Sequence, residues 1–331
     1  MSSSHVLVTG AAGFIGFHLS QALLQLGYQV TGVDNLNPYY DPRLKQGRLA
    51  LLQQQAGFHF IQLDLSDRER TEQLFAQQNF DVVIHLAAQA GVRYSIENPM
   101  AYLDSNLAGV MTVLEGCRHN PPKHLLLASS SSVYGDQAQQ PFSETDNTDC
   151  PVSLYAASKK AGEALAYSYA KLYQLPITAL RFFTVYGPWG RPDMALFKFV
   201  DAILHDRSFD LYNQGNMARD FTYIADLVQT VLSICWAPSA EAVPYQVFNI
   251  GSNNPVRLMD FVNAIETAAG KKAHYQLLPL QPGDVLATWA NTAKLKQTGH
   301  PLPATPLVDG VQAFVDWYRQ FYLPLPPLPP A

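Results

Sequence analysis

Cysteine is scarce in this chain, and charged residues are few. The sequence has three cysteines in 331 residues; Cys117, Cys150 and Cys235 are isolated and odd in number. They offer neither a zinc spacing nor a disulfide framework, so we expect no metal and a reducing, cytoplasmic setting. Charged residues make up 15% of the chain and the formal net charge is −5. Because no basic surface is indicated, nothing favours nucleic acid as a partner.

Long hydrophobic runs are also missing. No apolar stretch approaches the roughly 18 residues of a membrane span, and residues 2–4 lead directly into the first predicted strand without a signal-peptide pattern. We therefore expect no membrane partner. Hydrophobic residues make up 48% of the chain, which fits a compact globule with one large core or two adjoining lobes.

A glycine-rich turn follows the first apolar run, Val6-Leu7-Val8. Residues 9–16 read Thr-Gly-Ala-Ala-Gly-Phe-Ile-Gly and precede a predicted helix. This strand–turn–helix context is the one a dinucleotide fingerprint requires. Gly10, Gly13 and Gly16 would allow the tight turn, the approach of the pyrophosphate to the backbone and close helix packing. The spacing is one residue longer than the commonest form, and an ordinary strand-to-helix turn is the alternative.

Acidic residues end the next two predicted strands. Asp34 follows residues 30–33, where an acid bonds the adenosine ribose hydroxyls and disfavours a ribose phosphate, so NAD is preferred to NADP. Asp64 or the backbone of Leu65 would meet the adenine; the alternative for Asp64 is the N-cap of a helix starting near Arg68. His85 is interpreted as a packed histidine. The other predicted cofactor-binding residues are Phe14, Ile15, Asn35, Leu86, Ala87, Ala88 and Gln89.

A tyrosine and a lysine stand one helical turn apart in the segment Tyr-Ala-Ala-Ser-Lys. Tyr155 and Lys159 share one helix face at this i, i+4 spacing. A positive charge nearby favours the phenolate, so Lys159 is predicted to lower the pKa of Tyr155 and to hold the nicotinamide ribose. Ser130, in a loop of four serines after an apolar strand, is predicted to bond the substrate oxygen. By itself, such a Tyr/Lys pair also occurs by chance on exposed helices.

In order along the chain, the glycine turn, acid, serine loop and Tyr/Lys helix resemble the extended short-chain dehydrogenase/reductase family of sugar-nucleotide enzymes. The resemblance covers residues 5–322. It implies a bound NAD, a catalytic trio of Ser130, Tyr155 and Lys159, and a homodimer formed by helices near 101–118 and 154–173.

Three stretches resemble the UDP-glucuronate 4-epimerases within that family: residues 34–41, 85–95 and 181–195. Thr184 stands where UDP-galactose 4-epimerases usually have asparagine. The serine loop carries neither the Asp-Glu pair of the dehydratases nor the glutamate of UDP-glucuronate decarboxylases. The implied reaction is the NAD-dependent interconversion of UDP-glucuronate and UDP-galacturonate through a transient 4-ketone.

Such a ketone lies beside a C5 carboxylate and loses CO₂ when the carboxylate aligns with the carbonyl π system. Ser131, Thr184 and Arg191 are therefore candidates to anchor that carboxylate by charge-assisted hydrogen bonds, and Ser132 is a further predicted substrate-binding residue. The alternative for Arg191 is a surface arginine in a loop. Arg93 would serve the carboxylate or the phosphates, or order its own loop. The alternatives are a 4-epimerase of neutral UDP-hexoses or UDP-N-acetylhexosamines, a decarboxylase, a net oxidoreductase and a cofactor-binding regulatory protein without catalysis.

Two C-terminal segments resemble nucleotide-binding parts of the family. Arg219 corresponds to an arginine that meets the diphosphate, and Asp284 would bond the ribose or Arg219. Gln281 stands where many relatives carry arginine, which weakens a phosphate contact there. An internal Arg–Asp pair that only fixes the loop is the alternative.

The predicted fold is α/β, with a Rossmann doubly wound parallel sheet and a smaller, discontinuous C-terminal substrate-binding lobe. Residues 1–183, with returning segments at about 225–250, form the NAD-binding part, and 184–322 form mainly the UDP-sugar lobe. Residues 323–331 are predicted to be a disordered, proline-rich tail. The predicted helices lie near 14–26, 101–118, 154–173, 194–205, 224–236 and 258–269.

Overall fold

A computed structural model describes residues 4–137, 139–281 and 285–325. The strands are β1 His5–Thr9, β2 Gln29–Asp34, β3 Phe58–Gln62, β4 Val82–His85, β5 His124–Ser130, β6 Ile177–Phe182, β7 Thr184–Tyr186, β8 Ser208–Leu211, β9 Ala218–Tyr223, β10 Tyr245–Ile250, β11 Pro255–Arg257 and β12 His274–Leu277. The α-helices are α1 Phe14–Gln25, α2 Pro42–Gln53, α3 Arg68–Gln77, α4 Tyr94–Glu97, α5 Pro99–Tyr102, α6 Gly109–His119, α7 Leu154–Tyr173, α8 Ala195–Leu204, α9 Ile224–Cys235, α10 Leu258–Ala269, α11 Ala293–Gln297 and α12 Leu307–Trp317. Short 3₁₀ segments span Ser131–Tyr134 and Tyr212–Gly215, and π-helical segments span Leu103–Ala108 and Tyr318–Tyr322.

The seven-stranded main sheet runs in the order β3-β2-β1-β4-β5-β6-β10, and every neighbouring pair is parallel. The chain order reverses between β1 and β4. In open parallel sheets, ligands bind at such a switch point, beyond the carboxyl ends of the strands. The sheet therefore directs the glycine turn after β1 and the segments after β4 and β5 toward one crevice.

Helices cover both faces of the main sheet, as its apolar strands require. β5 is buried along its whole length, which is typical of a parallel strand covered on both sides. One hydrophobic core packs α1 and α9 against one face, and another packs α3, α6 and α7 against the other. The predicted doubly wound α/β fold is confirmed.

A smaller lobe contains two further sheets. In the first, β9 pairs parallel with β7 and antiparallel with β11; in the second, β12 pairs with β8. Helices α8, α10 and α12 supply its aromatic core. The lobe is discontinuous, because α9 and β10 lie between β9 and β11 in the chain but pack on the main sheet.

Most of the predicted helices agree with the structure to within a residue or two. The helix predicted at 101–118 is instead α5, a π-helical turn and α6. Helices α2 and α12 were not predicted: α2 buries Lys45 and Arg48, which read as surface residues in a sequence, and α12 carries an internal glycine. No helix in the described ranges is both long and apolar enough to cross a membrane.

One local expectation needs correction. The helix α3 is capped by Asp67, whose carboxylate accepts from the Arg70 amide at 3.1 Å, so Asp64 is not the N-cap. At the start of the predicted disordered tail, the Leu323 amide donates to the Tyr318 carbonyl at 2.8 Å, and the disorder of the tail stays a prediction. The rest of that predicted tail, 326–331, lies outside the described residues.

Candidate active site

Two adjoining cavities open at the carboxyl ends of the main sheet. The first has a volume of 440 Å³, the second lies toward the small lobe with 300 Å³, and Thr184, Val185, Arg191 and Met194 border both. The predicted site residues that line the first cavity are Gly10, Gly13, Phe14, Ile15, Gly16, Asp34, Asn35, Asp64, Leu65, Leu86, Ala87, Ala88, Gln89, Ser130, Ser131, Ser132, Tyr155, Lys159, Thr184 and Arg191. Arg93 and Arg219 line the second, and the predicted Asp284 lies outside the described residues.

In the glycine turn at the first cavity, Gly10 and Gly16 have no room for a side chain. Gly10 has φ +71°, and a Cβ there would lie 2.9 Å from the Ala87 amide nitrogen. A Cβ on Gly16 would lie 2.1 Å from the Gly10 carbonyl oxygen. Helix α1 starts at Phe14 without a side-chain cap or an acidic residue in its first turn. Its amides and positive dipole end are thus suited to a pyrophosphate.

Acidic groups after β2 and β3 also border the first cavity. Asp34 ends β2 and accepts from the amides of Ala12 at 3.2 Å and Leu36 at 2.8 Å. The Asp64 carboxylate accepts from the side-chain amide of Asn35 at 2.9 Å. This hydrogen bond links the segments after β2 and β3. Lys45, which the sequence did not reveal as a site neighbour, lies 3.5 Å from Asp34. These groups are of the kind that bond an adenosine ribose.

The segment after β4 is held by polar contacts within the fold. His85 is buried, its Nδ1 lies 2.8 Å from the Thr9 hydroxyl, and burial lowers its pKa to about 3; it is a packed, neutral histidine, as expected. Asn106, in the π-helical turn, bonds the backbone of Gln89 and the hydroxyl of Ser158 on α7. The π turn therefore joins the lining of the cavity to the helix that carries Tyr155.

The serine loop and α7 bring the predicted catalytic residues together. Ser153 caps α7, and Tyr155 and Lys159 point from its first turns into the first cavity. The Lys159 ammonium donates to the Ala128 carbonyl at 2.9 Å, and burial lowers its pKa to about 8. The Ser130 hydroxyl donates to that of Ser132 at 3.0 Å.

The electrostatic surroundings of Tyr155 include groups from other loops. Burial and the negative charge of Asp193 raise the pKa of Tyr155 above its usual value, while the Ser130 hydroxyl and the positive charge of Arg191 act in the opposite direction. The Lys159 ammonium is directed to the backbone of β5, so its predicted effect on the pKa of Tyr155 stays a prediction. The i, i+4 spacing predicted the shared face correctly but not the group that each side chain meets.

Arg191 lies at the junction of the two cavities and forms an ion pair with Asp193. Its Nε donates to Asp193 Oδ1 at 3.0 Å and its Nη2 donates to Oδ2. The Tyr39 hydroxyl lies 3.4 Å from the same carboxylate. Tyr39 and Asp193 occur in the stretches that carry the family resemblance, but nothing in their spacing reveals that they meet.

The second cavity holds the other two predicted arginines. The Arg93 guanidinium lies over the Tyr212 ring, 4.7 Å from its centre. Arg219 Nη1 donates to the carbonyls of Ala218 at 2.9 Å and Leu286 at 3.2 Å. This cavity therefore brings two cations and an aromatic ring together, a composition suited to a nucleoside diphosphate.

Two residues missed by sequence reasoning hold the loop that leads to Arg191. Arg48 is completely buried; its Nη1 donates to the Ala12 carbonyl of the glycine turn at 2.9 Å, and its Nη2 donates to Trp189 at 2.6 Å. His18 Nε2, on α1, bonds the Pro188 carbonyl at 2.9 Å. The glycine turn and the Arg191 loop are thus tied together. No sequence signal distinguishes Arg48 from a surface arginine of an amphipathic helix.

Comparison with known proteins agrees with this arrangement. The chain is 47% identical to a probable UDP-glucuronate 4-epimerase of Rhizobium meliloti over 96% of this chain and 97% of that protein. It resembles the crystal structure of UDP-glucuronic acid 4-epimerase from Bacillus cereus in complex with UDP-glucuronic acid and NAD, with a TM-score of 0.90, 35% identity and coverage of 96% and 100%. The UDP-glucose 4-epimerase of Thermotoga maritima, crystallised with UDP-glucose, gives a TM-score of 0.85 at 28% identity, with 96% and 99% coverage.

A described protein family also matches most of the chain. Residues 6–251 match the family described as NAD dependent epimerase/dehydratase, and they include the glycine turn, the serine loop, the Tyr155 helix and Arg219. The chain therefore belongs to the NAD dependent epimerase/dehydratase family.

Proposed function

We propose that this chain is an NAD-dependent 4-epimerase that interconverts UDP-glucuronate and UDP-galacturonate. The observation that carries the proposal is the continuity of the site. A glycine turn suited to a dinucleotide, Tyr155 with Ser130, and the arginine-bearing loop with Thr184 and Arg191 all border the first cavity. Relatives named for this reaction support the choice of substrate.

The cavity fits NAD. The uncapped start of α1 and the close glycine turn suit its pyrophosphate, and Asp34 suits its adenosine ribose. Bound NAD⁺ would supply a hydride acceptor for C4 and, once reduced, a hydride donor for the other face of the sugar. We propose that the cofactor contacts are Gly10, Gly13, Phe14, Ile15, Gly16, Asp34, Asn35, Asp64, Leu65, Leu86, Ala87, Ala88, Gln89, Tyr155 and Lys159.

Tyr155 is the proposed acid–base group. As the phenolate, which the positive charge of Arg191 favours, Tyr155 takes the proton of the C4 hydroxyl as the ketone forms, and the resulting phenol returns it when the epimer forms. Ser130 holds the C4 oxygen by a hydrogen bond. Lys159, kept in place by the Ala128 carbonyl, binds the nicotinamide ribose. A positioned acid–base group of this kind contributes about 10²–10⁴-fold to the rate.

The sugar carboxylate and the diphosphate need separate donors. We propose that Ser131, Thr184 and Arg191 hold the carboxylate, because charge-assisted hydrogen bonds fix it in one orientation, and that Ser132 is a further substrate contact. Arg93 and Arg219, in the second cavity, are proposed to meet the diphosphate. Asp284 remains a proposed ribose contact on family resemblance alone.

The proposal predicts that the purified protein converts UDP-glucuronate to UDP-galacturonate without added NAD⁺, because the cofactor stays bound and returns unchanged. Anion-exchange separation and NMR of the products measure this, together with CO₂ release. A UDP-pentose as the main product would instead identify a decarboxylase. Turnover only of UDP-glucose or UDP-N-acetylglucosamine would identify an epimerase of neutral sugars.

A homodimer is proposed from exposed apolar residues on α5, the π-helical segment that follows it, α6 and α7. Met100, Leu103, Met111 and Leu172 are exposed there, with Leu172 at 69%, and these segments correspond to those predicted to form the contact. We expect a mass of twice 36.6 kDa by light scattering, and a monomer for the Met100→Lys/Leu172→Lys variant. The matched change Val308→Lys, exposed on α12, should leave the mass unchanged; a monomeric parent chain would contradict the proposal.

We also propose that the chain is divided into two binding regions. Residues 1–183, with returning segments at about 225–250, bind NAD, and residues 184–322 hold mainly the UDP-sugar. A cytoplasmic location is proposed because all three cysteines are free thiols, which is typical of a reducing compartment.

A further inference from the structure

The carboxylate of Asp193 lies against Arg191, beside the cavity in which a second carboxylate is proposed to bind. Asp193 contacts the Nε and Nη2 atoms of Arg191, and both side chains are only about a quarter exposed. An anion next to a proposed anion site weakens the attraction for a charged substrate. Its presence there therefore needs a reason other than affinity.

The geometry of the contact supplies that reason. A guanidinium carries five N–H donors in a rigid, planar fork. Because Asp193 binds the edge formed by Nε and Nη2, it fixes the plane and rotation of the fork. The other edge, with both hydrogens of Nη1 and one of Nη2, is then presented in one orientation for a second planar, bidentate acceptor.

Asp193 is itself held from the opposite side of the site. The Tyr39 hydroxyl lies 3.4 Å from its Oδ2, and Tyr39 borders the first cavity in the loop that follows Asp34. The Asn37 side chain accepts from the Tyr39 amide at 2.8 Å and shapes that loop. The stretch 36–41, which holds none of the residues used by the proposed chemistry, thus reaches the arginine through Asp193.

We propose that Asp193, supported by Tyr39, is a positioning residue that holds Arg191 in the orientation that keeps the uronate carboxylate from leaving as CO₂. The inference rests on the proposed function, because it concerns the lifetime of the 4-ketone. Arg191 and Tyr155 both line the first cavity, so the group that binds the carboxylate and the group that forms the ketone belong to one site.

The side reaction that Asp193 opposes is the decarboxylation of the 4-ketone, which needs no reactant other than a proton from water. Once C4 is a ketone, the C5–C6 bond breaks and its electron pair forms the C4–C5 enolate. C6 leaves as CO₂, and C5 takes a proton from water. The step requires the C5–C6 bond to align with the carbonyl π system. A carboxylate held by a fixed guanidinium stays out of that alignment, whereas one held by a pivoting guanidinium reaches it.

The test compares the parent chain with Asp193→Asn, Tyr39→Phe and the matched control Tyr94→Phe. Tyr94 packs against the Tyr39 ring, but its hydroxyl accepts from Asn98 and does not reach Asp193. Each holoprotein is incubated with UDP-glucuronate, and the ratio of CO₂ released to UDP-galacturonate formed is measured. Calorimetry with UDP-glucuronate in each variant gives the dissociation constant independently of turnover.

For Asp193→Asn we expect the CO₂ ratio to rise about tenfold, which corresponds to about 1.4 kcal/mol of lost discrimination between two barriers. UDP-glucuronate should bind no more weakly than to the parent, because the competing anion is gone. Tyr39→Phe should raise the ratio by a smaller factor, about threefold, and Tyr94→Phe should leave it unchanged. General damage to the site would weaken binding and slow both products together.

An unchanged CO₂ ratio in Asp193→Asn, with a parent that forms UDP-galacturonate, overturns the inference and leaves the proposed function intact. If Asp193→Asn does not fold, an unchanged ratio in Tyr39→Phe overturns it equally. A parent that forms no UDP-galacturonate overturns the proposed function and this inference with it.

Discussion

Replacement of Tyr155 by phenylalanine is expected to lower kcat for epimerisation by about 10³-fold, within the range that positioned acid–base groups contribute. The phenolate oxygen of Tyr155 is the group proposed to take the C4 proton. Its two described neighbours are poorly suited to replace it, because the Ser130 hydroxyl is a weak acid and Lys159 is directed to the Ala128 carbonyl. The ring itself remains, so its packing against Tyr102 and the shape of the cavity should persist.

Three measurements separate chemistry from damage in this variant: the rate with UDP-glucuronate, the NAD released on denaturation and the thermal midpoint. Only the rate should change. Tyr167→Phe is the matched control, since Tyr167 lies on the same helix, is half exposed and should have parental activity. A Tyr155→Phe variant with activity within tenfold of the parent would exclude Tyr155 as the acid–base group.

The local motifs predicted the components of the site because each depends on neighbours in sequence. A glycine turn between β1 and α1, or a Tyr/Lys pair on one helix face, is complete within a few residues. Their convergence also followed, since parallel strands direct their carboxyl ends to one edge of a sheet. These parts of the fold and of the candidate site were therefore accessible from the chain alone.

Contacts between distant loops were not accessible in this way. Arg48 donates to the carbonyls of Ala12 and Trp189. Every residue has a backbone carbonyl, so the sequence does not indicate which carbonyls accept from Arg48. The pairing of Tyr39 with Asp193 spans 154 positions. Burial was equally hidden: the pKa of Tyr155 depends on how much water reaches the phenol and on Arg191, which comes from another loop.

Replacement of Glu163 by glutamine is expected to lower the free energy of unfolding by about 3–5 kcal/mol, the cost of leaving one member of a buried ion pair without its partner. Glu163 and Arg181 are both at least 95% buried. Glu163 accepts from Arg181 Nε at 2.9 Å and Nη2 at 2.8 Å, and from the Ser129 hydroxyl at 2.6 Å. The pair therefore joins α7, β6 and the start of the serine loop.

Urea unfolding of the holoprotein measures this loss, and two further variants test its cause. The double change Glu163→Met with Arg181→Met removes both charges and should lose less stability than Glu163→Gln alone, because no buried charge remains unpaired. Lys272→Met breaks an ion pair with Glu266 on the surface, where Lys272 is 86% exposed, and should leave the urea midpoint unchanged.

If Glu163→Gln were as stable as the parent, Arg181 would have to be stabilised by its contacts with Tyr134 and the Glu144 carbonyl alone. The ion pair would then be unnecessary for holding the serine loop beside α7.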